Sequence, residues 1–222
     1  DLGHPAHVHY FRNFIHIMLG KGHSFCITAR RRSIIHQLLE FYKIDFYDRG
    51  QGSTNSLGKI LYMLVADYRL IKKALTFKPD LFLSFASPYA AQVSWLLRKP
   101  HIVMDDTEHA TFGQFFYRPF SAVFLNPKSF NKDFGSRQIK FNGYMELCYL
   151  HPYYFKPVHS KIEKLGSLNY VILRFVSWDA NHDFGLKGLS LKNKIESGFF
   201  FFISKYCFII GVSAKTISPH IN

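Results

Sequence analysis

What most constrains this chain is a repeated order of short apolar strand, tight turn and amphipathic helix, which runs through residues 1–145. Tyr10, Phe14, Ile17 and Met18 fall at helical spacing and predict a helix over His9–Leu19, closed by Lys21-Gly22. Ser24–Thr28 reads as a strand, Ser33–Tyr42 as a helix and Ile44–Tyr47 as a second strand. A Gly/Ser/Asn loop follows at Gly50–Ser56. Leu57–Leu75 is a long helix whose stripe is Ile60, Leu61, Leu64, Tyr68, Ile71 and Leu75. Leu81–Phe85 is a strand, and Ser87-Pro88 then reads as N-cap and first helical residue of Tyr89–Leu97. His101–Met104, Ala122–Leu125 and Gln138–Asn142 complete the strands, with Asn126-Pro127 expected to open another helix. Alternation of this kind requires a parallel sheet covered by helices on both faces, a Rossmann-like doubly wound α/β domain. Such a sheet binds its ligand at the carboxyl ends of the strands. The polar clusters His4–His9, Ser84–Ser87, Asp105–His109 and Asn142–Glu146 fall there.

The pattern changes after residue 150. Residues 151–168, with Pro152 and Pro157 and no periodicity, read as a linker. Tyr170–Val176 is a new strand, so 169–196 reads as the start of a second Rossmann-like domain. Residues 197–222 hold no acidic side chain and gather Phe199–Phe202; they read as an aberrant or misjoined tail, with an aromatic-rich strand pair as the alternative. At the other end Asp1-Leu2-Gly3 sits where a first, central strand would be finishing, so residues 1–150 read as an N-terminal domain lacking that strand.

Charge and cysteine usage narrow the function classes. The 28 Lys and Arg against 15 Asp and Glu give a formal +13, spread along the chain and dense only at Arg30-Arg31-Arg32. A diffuse positive field suits anionic partners. Three scattered cysteines supply no disulfide framework and no paired metal-ligand spacing, which points to a reducing, cytoplasmic setting. The longest apolar run, Phe199–Ile210, is broken by Ser204 and Lys205, so no transmembrane segment is expected, while peripheral membrane contact stays open. No Walker loop, Gly-x-Gly-x-x-Gly fingerprint or Ser-centred nucleophile elbow is present, which sets aside the commonest ATPase, dehydrogenase and hydrolase chemistries.

Four constellations can carry chemistry. Gly3, His4, His7 and His9 enter a helix: a glycine admits close approach, free N–H groups favour an anion, and imidazoles serve as acid, base or hydroxyl partner. Asp105, Asp106 and Glu108, beside Thr107 and His109, crowd three carboxylates past a strand; mutual repulsion raises a pKa and suits a general acid or base, or a divalent cation, although an acidic turn has the same letters. Arg174, Trp178, Asp179 and His182 combine charge, stacking and proton transfer around one strand end, or pack and cap a domain start. Ser87 contributes a hydroxyl at a helix N-terminus, as many N-caps do.

Taken together, residues 1–9, Ile27-Thr28-Ala29-Arg30, Ser87–Ala91, Asp105–Ala110, Asn142-Gly143-Tyr144, Tyr149-Leu150-His151-Pro152, Leu173–Asp183 and Lys187-Gly188-Leu189-Ser190 resemble the family catalogued as domain of unknown function 354. That family is related to GT-B-type glycosyltransferases and nucleotide-sugar epimerases. The resemblance runs from residue 1 to about residue 196. It implies two Rossmann-like domains, a nucleotide sugar such as a UDP-sugar held mainly by the second, and an acceptor and catalytic groups offered mainly by the first. By analogy with the non-hydrolysing UDP-N-acetylglucosamine epimerases, Glu108 lies near a catalytic carboxylate and His182 near a histidine of the second domain. No cofactor and no metal are expected.

The resulting expectation is a GT-B-like protein, incomplete in this chain, that acts on a nucleotide-linked sugar by glycosyl transfer or epimerisation. Asp105, Asp106, Glu108 and His182 would be catalytic. Gly3, His4, His7, His9, Ser87, His109, Arg174, Trp178 and Asp179 would bind substrate. The alternatives are a non-catalytic binding protein or inactive remnant and, last, a basic nucleic-acid binder, for which no recognition motif is present.

Overall fold

The strand–helix alternation folds as parallel strands. The computed structural model describes residues 1–53, 56–157, 170–175 and 208–213 and divides the chain into two compact units, Asp1–Lys156 and Pro157–Asn222. In chain order the first unit contains α1 (Pro5–Gly20), β1 (Thr28–Arg30), α2 (Ser33–Phe41), β2 (Tyr47–Gly50), α3 (Ser56–Phe77), β3 (Phe82–Phe85) and α4 (Pro88–Leu96). It continues through β4 (His101–Met104), α5 (Thr111–Tyr117), β5 (Val123–Pro127), β6 (Gln138–Phe141) and α6 (Leu147–Leu150), with single 3-10 turns at Arg118–Phe120 and Gly135–Arg137.

β1 and β2 pair in parallel, and β3-β4-β5-β6 form a four-stranded parallel sheet in that order. Residues 1–3 run between the two. The Leu2 amide donates to the Thr28 carbonyl and the Arg30 amide to the Leu2 carbonyl, both at 2.8 Å, while the Asp1 nitrogen donates to the Leu83 carbonyl at 3.1 Å. Asp1–Gly3 therefore occupies the central position of a doubly wound order, with β1 and β2 on one side and β3 to β6 on the other. The Asp1 carboxylate clasps the two sides. It accepts from Thr28 Oγ1 (2.8 Å), from Arg49 Nε (2.9 Å) and from Ser87 Oγ (2.6 Å), with both partners of the Asp1–Arg49 ion pair 2% exposed. Arg49 also lies 4.1 Å over the Tyr89 ring. A buried pair of this kind is tolerated only when its remaining polar atoms are satisfied, as these are.

Apolar burial fixes the helices to the sheet. Val8, Phe11 and Ile15 of α1 and Ile35 and Leu39 of α2 pack with Leu2 and Ala29 in one cluster. Val103, Phe124, Tyr117, Phe130 and Phe134 form a second, and Leu70, Ala74 and Val93 a third.

Several elements differ from expectation. α1 begins four residues early, because Pro5 sits at the first turn and the His4 side chain accepts from the Ala6 amide, so the histidine run is helix, not turn. It buries Val8, Phe11 and Ile15 in place of the expected Phe14 and Ile17 face. β1 and β2 lie later than the apolar letters suggest, since pairing starts only where the Tyr47 amide meets the Ile27 carbonyl; Phe25, Ile27 and Phe46 pack as partly buried coil. Asn126-Pro127 ends β5 and opens no helix. Asn126 is fully buried and its Nδ2 donates to the Asp105 carbonyl at 2.7 Å, which holds the chain extended. The α3 stripe is inverted. Ala66, Leu70 and Ala74 face the sheet, while Ile60, Leu61, Leu64, Tyr68 and Leu75 are 57–67% exposed. α5 and α6 were not expected.

In the second unit β7 (Tyr170–Phe175) pairs in parallel with β8 (Phe208–Ser213), placing Arg174 opposite Val212. β8 lies inside the segment read as an aberrant tail. Among the described residues no helix is long and apolar enough to cross a membrane.

Candidate functional site

In a parallel sheet all carboxyl ends share one side, and here α1 and α4 start on that side. Two residues set the entry to α1. His4 Nδ1 accepts from the Ala6 amide and His7 Nδ1 from the Gly3 amide, both at 3.2 Å. With Nδ1 accepting, neutral His7 carries its proton on Nε2. Its pKa is pushed down to about 3, first by desolvation and then by the positive charge of His4. The ring lies 4.8 Å from that of Phe85, with Tyr10 stacked beyond. His4 is shifted down too, by desolvation and by Arg32. His9 points elsewhere. It sits 5.4 Å from the Tyr149 ring and 3.4 Å from the Tyr42 hydroxyl, so His4 and His7 form one group and His9 another. A Cβ on Gly3 would meet only His7 Cε1, at 4.0 Å.

The acidic turn after β4 splits its carboxylates into different environments. Asp105 is 2% exposed; its Oδ1 accepts from the Thr107 amide (2.9 Å) and its Oδ2 from the Tyr117 hydroxyl and from Gln114 Nε2 (3.4 Å). Burial raises its pKa against these hydrogen bonds. Both carboxylate oxygens of Asp105 are engaged by the fold, which leaves Asp106 as the outward member of the pair. Asp106 accepts from Thr107 Oγ1 at 3.0 Å. Its pKa is raised by partial desolvation, opposed by that hydrogen bond and reinforced by the like charge of Glu146. Glu108 reaches across to the loop after β5, where its Oε1 accepts from the Asn131 amide at 2.9 Å. His109 is exposed. Ser87 caps α4 through the Ala90 amide (3.3 Å) and donates to Asp1, so its hydroxyl is committed inside the clasp.

The structure adds residues that the sequence did not single out. Tyr10 has its pKa raised by desolvation and then by the negative charges of Asp106 and Glu146. Tyr149 lies 6.0 Å from the Tyr10 ring. These residues come from four elements: α1, the turn after β4, the loop after β6 and α6. Met145, 1% exposed, and the Asn13 Nδ2 to Cys148 carbonyl bond (2.8 Å) anchor that loop to α1. Tyr10 was legible only as a helical stripe residue, and Glu146 only as the end of the Asn142–Glu146 cluster.

A Ser–His pair lies deeper. Ser84 Oγ and His101 Nε2 are 2.9 Å apart, and His101 Nδ1 lies 2.9 Å from Ser121 Oγ. Ser121 Oγ donates to the Tyr117 carbonyl, so it accepts from His101 Nδ1–H, and Nε2 accepts from Ser84. All three residues are 0–2% exposed, and desolvation pushes His101 down to about 3. No substrate reaches a group so enclosed; it ties β3, β4 and the turn before β5 together. At the end of β3, Ala86 adopts φ 46°, a left-handed conformation that a non-glycine residue holds only under constraint. Among the described residues no group of three or more His, Cys, Asp or Glu side chains is arranged to hold a metal ion. Trp178, Asp179 and His182 lie outside the described residues.

Residues 1–174 match the family described as protein of unknown function, DUF354. The chain belongs to this family. No curated protein matches it. Among solved structures, this DUF354 protein is similar to a putative UDP-N-acetylglucosamine 2-epimerase from Listeria monocytogenes, with TM-score 0.69 and 11% identity over 98% of this chain and 62% of the other. It is also similar to the UDP-GlcNAc 2-epimerase from Neisseria meningitidis solved with UDP-GlcNAc, with TM-score 0.63 and 13% identity over 96% and 64%. The third is MurG from Acinetobacter baumannii, with TM-score 0.55 and 16% identity over 78% and 51%. The chain spans between half and two thirds of the length of these proteins. At such identity the likeness establishes a Rossmann-like, GT-B-type fold.

Proposed function

We propose that this DUF354 protein binds a nucleotide-linked sugar at the carboxyl ends of its parallel strands and acts on it by glycosyl transfer or epimerisation. The observation that carries the reading is the exposed Asp106 carboxylate just past β4, on the edge where α1 starts and where Tyr10 faces Tyr149 at 6.0 Å. A carboxyl whose pKa is raised, first by desolvation and further by a neighbouring like charge, is suited to general acid–base catalysis. In this reading Asp106 and Glu146 exchange protons with the sugar, and Tyr10 and Tyr149 offer stacking faces. His4 and neutral His7 donate to hydroxyl or phosphate oxygens at the start of α1. Asp105 positions Asp106 from within the fold. Glu108 and His182 keep the catalytic roles that the family resemblance implies, and His109, Arg174, Trp178 and Asp179 the substrate-binding roles expected of them. The fold shared with UDP-sugar enzymes supports the ligand class, and the parallel-sheet edge supports the location.

Calorimetric titration of the chain with UDP-N-acetylglucosamine and other UDP-sugars tests the proposal. Saturable binding is expected, weakened about tenfold or more in Asp106→Asn and Glu146→Gln. Absence of binding to every nucleotide sugar, or binding that both substitutions leave untouched, would overturn it.

A further inference from the structure

The inverted stripe on α3 points to a second surface, independent of the proposed sugar site. Ile60, Leu61, Leu64, Val65, Tyr68 and Leu75 are 44–67% exposed, and on the neighbouring α4 Trp95 and Leu96 are 62% and 57% exposed. Together they leave on the order of 1,000 Å² of apolar surface in water, more than the roughly 300–600 Å² of the largest patch on a typical monomer and the roughly 800 Å² that each partner buries in a standard interface. We propose that this face is a two-fold interface between two copies of the chain, with α3 packed antiparallel against α3.

Three observations favour a second copy over other occupants. The first is symmetry within the stripe. Ile60 and Leu75, Leu64 and Ile71, and Asp67 and Tyr68 are equidistant from the midpoint between residues 67 and 68. A copy of α3 crossing antiparallel at that point sets Ile60 against Leu75 and Leu64 against Ile71 along about 22 Å of helix. An isologous contact demands that self-matching.

The second is shape. Beside the protruding Tyr68 lies a hollow of about 260 Å³ lined by Asp67 and Ile71 of α3, Gln92, Trp95 and Leu96 of α4, and Phe120. A knob and a hole side by side on one face give that face the self-complementarity that a two-fold contact needs. Asp67 Oδ1 is buried at this hollow without a hydrogen-bond partner, and the Tyr68 hydroxyl of a second copy is a donor that the same crossing brings near it. The third is charge. A chain of formal +13 repels its own copies, yet the open stripe Ile60, Leu61, Leu64, Val65, Tyr68 and Leu75 carries no charge. Arg69 donates to the Arg49 carbonyl and Lys73 lies over the Tyr47 ring, so both cations are turned toward the rest of the fold.

Sedimentation velocity of the full chain over roughly 1–200 µM reads the association directly. The expected result is a monomer–dimer equilibrium whose dissociation constant rises about 30-fold or more in Leu64→Arg, the loss typical of a central interface residue. Phe41→Arg, which changes an equally open apolar residue on α2, should leave it unchanged. Leu64 is 63% exposed, so circular dichroism should report an intact fold in the variant. In a background with Cys26, Cys148 and Cys207 changed to Ser, Tyr68→Cys should cross-link to itself under mild oxidation. A chain that stays monomeric throughout, a dimer indifferent to Leu64→Arg, or a monomer that uses this face for lipid vesicles or for its own residues 176–207 would each overturn the proposal.

Discussion

His101 offers a quantitative test of how the first unit is held together. It is 0% exposed, neutral, and hydrogen-bonded at both ring nitrogens. Its pKa falls from an ordinary 6.5 to about 3, driven by desolvation. The unfolded chain therefore takes up a proton near pH 6.5 that the folded chain refuses until about pH 3. Stability supplied by this group is complete above pH 6.5 and is lost as the pH falls toward 3. Between pH 7 and pH 5 the loss comes to about 2 kcal/mol, from 1.36 kcal/mol per unit over the interval in which only the unfolded imidazole is charged. His101→Gln keeps polar atoms in the site but takes no proton, so its own stability should fall by about 2 kcal/mol less across the same interval. His7 shifts in the same direction and is present in both proteins, so it cancels in the comparison. Urea unfolding at fixed protein concentration, followed through Trp95 in a Trp178→Phe background, measures the difference as a midpoint change of about 1 M at a slope of about 2 kcal/mol/M. Equal pH dependence in the two proteins would refute the assignment of a buried neutral His101.

Two further outcomes follow from packing. Gly50→Ala should destabilise by about 2–4 kcal/mol, a fall in Tm of roughly 5–10 °C, because Gly50 holds φ 100° and an added Cβ would stand 1.9 Å from Arg69 Nη1; calorimetric melting checks it, and Arg69→Ala should restore part of the loss by removing the clash. Tyr117→Phe should cost about 1–3 kcal/mol by removing a donor from buried Asp105, and a double-mutant cycle with Asp105→Asn should show most of that cost to be shared between the two positions.

Much of this was legible in the letters and some was not, for physical reasons. Ser87-Pro88 announced α4 because a side-chain cap and a ring-fixed φ are local devices. His101–Met104 is legible as a strand because a short apolar run suits a place between parallel neighbours, where His101 and Val103 are buried. The α3 face could not be read, since two apolar faces on one helix share the same period, and only the third dimension decides that Ala66, Leu70 and Ala74 meet the sheet. Asn126-Pro127 repeated the letters of a helix cap, but a hydrogen bond to Asp105, 21 residues away, holds it extended. The acidic run was visible as a candidate site. Its division into an enclosed Asp105 and an open Asp106 was not, because it depends on Tyr117 and Gln114 arriving from α5. Glu146 and Tyr10 are 136 residues apart and meet only through the docking of α6 on α1.

The clasp at residues 1–3 also bears on the order of assembly. β1 with β2, and β3 through β6, each close loops of some twenty residues or fewer, and both groups can pair early. The contacts of Asp1 with Leu83 and Ser87 span 82 and 86 residues and join two surfaces that already exist. Loop closure over such a separation returns nothing until both halves are in place. The Asp1 carboxylate thus behaves as a latch, not a nucleus. It sets how long the two halves of the first unit stay engaged more than how quickly either half forms.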